Sequence, residues 1–252
     1  MAEADASSQK LKKELGLVAV FAISTGAMFS SGFFLLPGLA TAYAGPSTVL
    51  AYLLAGLLMI PGLFSVSELS TALPRAGGTY FFIDRSLGPL AGTIGGLGTW
   101  MALVLKSGFA LLGMGAYLAI FIPGGDAPWF VKGVAVTLTV VFAAVNIFGA
   151  KETAKLQVAL VAALVGVLAF FVVQGLFYLF TEIGGGELVR RYTPLLKEYE
   201  DDKHPGGIGG VATTIGMVIV SYAGLTKVAS VSEEVRRPDR NLPLGMFLSL
   251  IV

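Results

Sequence analysis

Of the 252 residues, 55% are hydrophobic and only 13% are charged, with a net charge of +1 and a mean hydropathy of +0.81. A soluble domain carries about 25% charged residues, so a soluble globular protein is excluded, and the near-zero net charge gives no bulk attraction to nucleic acid. With no Cys in the chain there is neither a disulfide framework nor a thiolate metal site, and no Gly-rich loop ending in Lys-Ser/Thr offers a nucleotide site, so no metal or cofactor is expected.

Apolar runs of roughly 20 residues cross a bilayer as helices, whereas barrel strands need only about 10 alternating residues. The fold class expected is therefore an all-α integral membrane protein. Residues 1–14 form a polar tail, and 15–252 a single transmembrane region. Lys10, Lys12 and Lys13 before an apolar run imitate a secretory leader, but the run is too long, contains Pro37 and is followed by further spans. It reads as an uncleaved first span, from about Leu15 to Ala44 and interrupted near Ser30-Ser31-Gly32. The second span covers about Thr48–Leu73 with Pro61 inside, followed by a polar, Gly-rich segment from Pro74 to Gly88. The third runs from about Leu90 to Ile122, the fourth from Trp129 to Phe148 and the fifth from Leu156 to Phe180. A polar loop, Thr181 to Pro205, precedes a sixth span from about Gly207 to Val231 that is interrupted at Ser221-Tyr-Ala-Gly-Leu-Thr226. A seventh opens at Leu244 and has nine residues by Val252. Nine residues make about 14 Å of helix, short of a hydrocarbon layer ~30 Å thick, so the chain is expected to be the N-terminal part of a longer protein. Ten Lys and Arg fall on the side of the N-terminus and five on the other, which predicts a cytoplasmic N-terminus in a plasma (inner) membrane.

The two interruptions carry the functional reading. Lipid gives exposed backbone N–H and C=O groups no partner, so broken helices persist only where they line a cavity or are covered by protein. Paired broken helices mark secondary transporters that bind substrate at the bilayer midplane. Gly26, Ser30, Ser31, Gly32 and Pro37 lie in the first break, and Gly224 in the second. Gly frees the backbone, and half-helix N-termini attract anions. Lys106 sits mid-span, far from either interface, and an ionisable group at that depth is a functional candidate, here a proton carrier. Lys227, one turn beyond the second break, is the next coupling candidate. Gly92 and Gly96 are spaced for close helix packing.

Three segments resemble the amino acid–polyamine–organocation (APC) permeases: Gly26 to Pro37, the Glu68-Leu69 and Leu73-Pro-Arg-Ala-Gly-Gly-Thr-Tyr80 pair, and Glu233-Glu-Val-Arg-Arg-Pro-Asp-Arg-Asn-Leu-Pro243. The resemblance implies a LeuT-like inverted-repeat fold, of which this chain supplies the first five-helix repeat, the sixth span and the start of the seventh. It implies alternating-access transport of amino acids or related amines. In such a site the backbone N–H groups of Ser30, Ser31 and Gly32 hold the substrate carboxylate. Carbonyls of about Ala22 to Gly26 and Val220 to Ala223 hold its ammonium. The sixth span (Val220, Ser221, Tyr222, Ala223, Gly224) and the third, at Lys106 and Ser107, read the side chain. Glu68 and Arg75 would belong to an inner gate built with the Pro74–Gly88 segment. Some proton-coupled members keep a lysine in the fifth span, where this chain has Leu164. The expected partners are an amino acid substrate, the proton and the lipid bilayer. The alternative is a non-transporting sensor or remnant. An intramembrane enzyme is disfavoured because adjacent Lys106 and Ser107 point about 100° apart on a helix and make a poor dyad.

Overall fold

The computed structural model describes residues 13–29, 35–122, 127–147, 150–181 and 207–252. The described chain is helical, apart from turns and one isolated bridge between Leu15 and Val235. The first span is two short helices, α1 (Leu17–Met28) and α2 (Leu36–Ala44). Helices of these lengths rise about 18 Å and 14 Å, so only together do they match the hydrocarbon thickness. A 3-10 turn at Gly45–Ser47 leads into α3 (Thr48–Ala72), which contains Pro61. The polar segment after it forms a small helix, α4 (Thr79–Leu87). Three long helices follow: α5 (Pro89–Phe121), α6 (Pro128–Ile147) and α7 (Ala150–Thr181). The polar loop after α7, including His204, lies outside the described residues.

The sixth span is α8 (Gly207–Tyr222), followed by a 3-10 stretch over Ala223–Glu234 with non-helical geometry at Val231. Runs of 3-10 longer than a few residues are uncommon and often mark a hinge. The regular helix therefore stops inside the expected break. The final helix, α9 (Pro238–Ile251), starts six residues before the expected Leu244. The charged motif from Pro238 to Pro243 is helical because Pro at the first position brings a preset φ and no N–H that needs a partner.

Among the described residues, five stretches are long and apolar enough to cross a membrane: Leu36–Ala72, Pro89–Phe121, Pro128–Val145, Lys155–Leu179 and Gly207–Glu234. This is a multi-pass, all-α membrane architecture. The main core gathers Val20, Met28 and Phe29 at the end of the chain's first half-span with Leu63, Phe82, Leu225, Val228, Val235, Leu242 and Met246. It centres on the 3-10 stretch, with α1, α3, α4 and α9 around it. A second cluster of Ala44, Ala51 and Val211 joins α2, α3 and α8. By contrast only 6% of the apolar window of α7 is buried, and Val167, Phe170, Phe171 and Val173 face outward. That helix packs on α1 by one edge and leaves the rest to lipid or to further protein.

Small residues set the closest approaches. A Cβ at Gly92 would lie 2.8 Å from the Asp84 Cα, and one at Gly96 2.7 Å from the Tyr80 ring, so both seat α5 on α4. At Gly210 a Cβ would overlap the Tyr43 carbonyl of α2, whereas one at Gly216 meets nothing within 4 Å. Gly210→Ala is accordingly expected to cost about 1–3 kcal/mol of stability, while Gly216→Ala on the same helix is neutral or gains up to about 1 kcal/mol. Thermal unfolding of the two variants in detergent checks this.

Candidate functional site

The last four carbonyls of an α-helix have no partner within it. In α1 these belong to Thr25, Gly26, Ala27 and Met28, and the Thr25 carbonyl accepts the Phe29 N–H at 2.8 Å. The C-terminal end of α1 at the first break thus presents the carbonyls of Gly26, Ala27 and Met28. Ala22 is buried about one turn further in, within the regular helix. Ser30, Ser31 and Gly32 lie outside the described residues.

The second break abuts this end. A Cβ at Gly224 would overlap the Ala27 carbonyl and the Met28 nitrogen, so only glycine lets the two backbones meet there. One residue on, the Leu225 carbonyl accepts the buried Ser24 hydroxyl at 3.2 Å. On the adjoining side, the Thr25 hydroxyl bonds Ser249 of α9 at 2.9 Å, and Ser249 also lies within bonding distance of the Phe21 and Gly245 carbonyls. The α1 end is therefore clamped between the 3-10 stretch and α9 by hydroxyls that in a uniformly apolar helix would be methyls.

Lys106 reaches the same point from α5. Its Nζ donates to the Ala27 carbonyl at 3.0 Å, from a partly buried position. A cation there sits at the negative end of the α1 dipole. Lys227, exposed on the 3-10 stretch, is within electrostatic reach of Lys106. Ser107 turns away, and its exposed hydroxyl donates to the Leu103 carbonyl of its own helix at 2.8 Å.

Below the breaks, three segments are tied together. Leu15 bridges Val235: the Glu14 and Leu15 N–H groups donate to the Glu234 carbonyl (2.9 and 3.0 Å), and the Arg236 N–H returns to the Leu15 carbonyl at 2.8 Å. The Arg236 side chain also donates to the Lys13 carbonyl at 3.1 Å. The loop after α3 joins from the other side. The Ala76 N–H donates to the Glu233 carboxylate at 3.1 Å, and the Ser232 hydroxyl to the Arg75 carbonyl at 3.1 Å. Gly78, at φ +51°, lets the loop close on the Ser230 backbone, where a Cβ would lie 3.0 Å away. Arg75 contributes its backbone to this latch, while its guanidinium lies over the Phe81 ring, 5.7 Å from the centroid. Glu68 is exposed on α3. The charge that engages the loop is that of Glu233.

A family model for amino acid permeases matches residues 15–252. The chain belongs to the amino acid permease family. It is 27% identical to cationic amino acid transporter 7 (chloroplastic) of Arabidopsis thaliana over 98% of its own length and 43% of that protein. To the branched-chain amino acid permease BcaP of Bacillus subtilis it is 24% identical over 99% of itself and 54% of the relative. To cationic amino acid transporter 2 (vacuolar) of Arabidopsis thaliana it is 30% identical over 100% of itself and 40% of the relative. The chain thus spans about half the length of the curated relatives it matches. Membership of a permease family leaves no room for the intramembrane-enzyme reading.

Other residues of this permease fall around the breaks rather than in them. Gly26 faces α7, where a Cβ would lie 3.0 Å from the Gln157 amide nitrogen and 3.1 Å from Val161. Leu164, three residues beyond Val161, packs on the main core as an apolar contact. Gln157 is a polar residue within an otherwise apolar span, and its proximity to the α1 end appears only in the fold. Of the sixth-span residues, Val220 and Ala223 are exposed and Ser221 is buried with an unpartnered hydroxyl. The Tyr222 hydroxyl donates to the Tyr52 carbonyl at 3.3 Å, fixing the end of α8 to α3. A double-mutant cycle of Thr25→Val and Ser249→Ala is expected to return a coupling of about 0.6–1.7 kcal/mol, the range of interhelical hydrogen bonds in membranes. Additive losses would show that the hydroxyl pair contributes nothing of its own.

Proposed function

We propose that the protein carries amino acids or related amines across the plasma membrane by alternating access, with the substrate held between the two broken helices and transport coupled to protons. The observation that supports this most is the meeting of the two breaks at Ala27 and Gly224, with the Lys106 ammonium on the Ala27 carbonyl, in a chain of the amino acid permease family. Carbonyls at Gly26 to Met28 form the pole that an ammonium seeks, and by resemblance to the family the N–H groups of Ser30, Ser31 and Gly32, outside the described residues, take the carboxylate. Substrate carboxylate and ammonium are then read by opposite ends of one interruption. The fold would be the first repeat of a LeuT-like pair, with the sixth and seventh spans beginning the second.

The latch joining residues 13–15, 74–78 and 230–236 is the inner gate in its closed form. It gathers Lys13, Arg75 and Arg236 on one side of the molecule, and this concentration of basic residues favours a cytoplasmic position for it and for the N-terminus. Lys106 is the coupling residue: it occupies the ammonium pole between substrates and gives up its proton or its position as substrate arrives. Lys227 is the second cation along that path.

Uptake of a labelled amino acid mixture into proteoliposomes, by wild type and Lys106→Ala, with and without an inward proton gradient, tests the reading. Gradient-driven uptake that loses its gradient dependence in Lys106→Ala is the expected result. Uptake indifferent to both the gradient and Lys106 removes proton coupling and keeps the permease, and the absence of uptake for every amino acid removes the transport reading.

A further inference from the structure

The polarity of the surroundings of the α1 end goes beyond identifying a carrier and bears on which substrates it accepts. Two cations lie by this region: Lys106, bonded to the Ala27 carbonyl at 3.0 Å, and Lys227, exposed three residues beyond the Gly224–Ala27 contact. Among the described residues α1, α2, α5, α6 and α8 carry no Asp or Glu. Glu68 is exposed near the far end of α3. Glu233 lies six residues beyond Lys227, about 12 Å along a 3-10 path, and its carboxylate is bonded to the Ala76 N–H in the latch. Glu234 follows it, with its carbonyl taken up by Glu14 and Leu15.

From this arrangement we infer that Lys106 is a specificity-determining residue: it makes the site accept amino acids of zero or negative net charge and reject those of net positive charge. The inference rests on the amino acid reading above and deepens it. A zwitterion brings equal and opposite charges and costs little in a positive field, because its carboxylate offsets its ammonium. Arginine or lysine adds an uncompensated cation to two that are already there, in surroundings where charges interact more strongly than in water. An acidic side chain is drawn by the same field. Two of the relatives named above are cationic amino acid transporters, so the expected ranking separates this chain from them by a local feature of the third span.

The test is binding of leucine, glutamate, arginine and lysine, each as a labelled probe, to the purified protein expressed from its native gene, in wild type, Lys106→Met, Lys106→Arg and Lys227→Met. Leucine and glutamate are expected to bind wild type at least about tenfold more tightly than arginine or lysine, a ratio that a single charge contact readily supplies. Lys106→Met should narrow that gap by about tenfold, Lys106→Arg should keep it, and Lys227→Met should narrow it by a smaller factor. If Lys106→Met fails to fold, the exposed Lys227 position still provides the charge-removal arm. Arginine binding wild type as well as leucine overturns the inference and leaves the amino acid reading intact. A gap that persists undiminished in both neutralised variants also overturns it, since the discrimination then has another source. Failure of all four probes to bind wild type removes the amino acid reading and the inference with it.

Discussion

A backbone carbonyl at the end of a helix cannot be left bare in hydrocarbon, and the structure is organised around that constraint at Gly26 to Met28. Water would satisfy such groups at a protein surface at no structural cost. Inside a membrane the chain must bring partners from elsewhere. It brings an ammonium from α5 onto the Ala27 carbonyl, packs the Gly224 backbone against it and ties the neighbouring Thr25 hydroxyl to Ser249 of α9. These come from three segments that share no local sequence relation, which is why the long-range packing of α1, α9 and the 3-10 stretch forms the core while the outer helices stay thinly packed.

The choice of lysine at position 106 follows from the same constraint. An apolar side chain there would shield the Ala27 carbonyl without bonding it. A hydroxyl on α5 would be too short to leave its own helix, as Ser107 shows by bonding the Leu103 carbonyl. A long side chain with several donors can satisfy the carbonyl and still be displaced, because its methylenes pack apolarly while its head moves. The end of α1 is therefore capped by a group that can leave, which distinguishes it from the permanent contact at Gly224.

Much of this was legible in the sequence, for physical reasons that differ between elements. The spans declared themselves by hydropathy, and the interruptions by Ser and Gly where lipid should forbid them. Gly92 and Gly96 gave away a helix contact by spacing alone. Two things stayed hidden. The helix of α1 runs on to Met28, because Thr25 and Gly26 are tolerated in a helix whose flanks are packed. The start of α9 at Pro238 was masked by the charges of the motif, which read as loop although proline opens a helix well. The partner of Lys106 could not be read at all, since nothing local links position 106 to position 27. Nor could the attachment of the loop after α3 be read, since its backbone is held to Glu233 and Ser232, on a segment more than 150 residues away in the chain.

The latch and the capped break are the two ends of one rigid piece. Helix α1 has 12 residues, about 18 Å of helix, with the Leu15–Val235 bridge just before it and the Ala27 contacts at its other end. The same is true of the 3-10 stretch: Gly224 and Leu225 touch α1 at the top, and Ser230 to Glu234 engage the latch at the bottom. Two elements joined at both ends cannot tilt apart at the latch without shearing the contact at Gly224 or pivoting on it. Glycine at that position has no side chain to interlock, so a pivot breaks fewer contacts than a shear. The least costly large motion of this part of the molecule is therefore an opening of the latch about the Ala27–Gly224 contact. Such a motion leaves the carbonyl end of α1 in place as its fixed point.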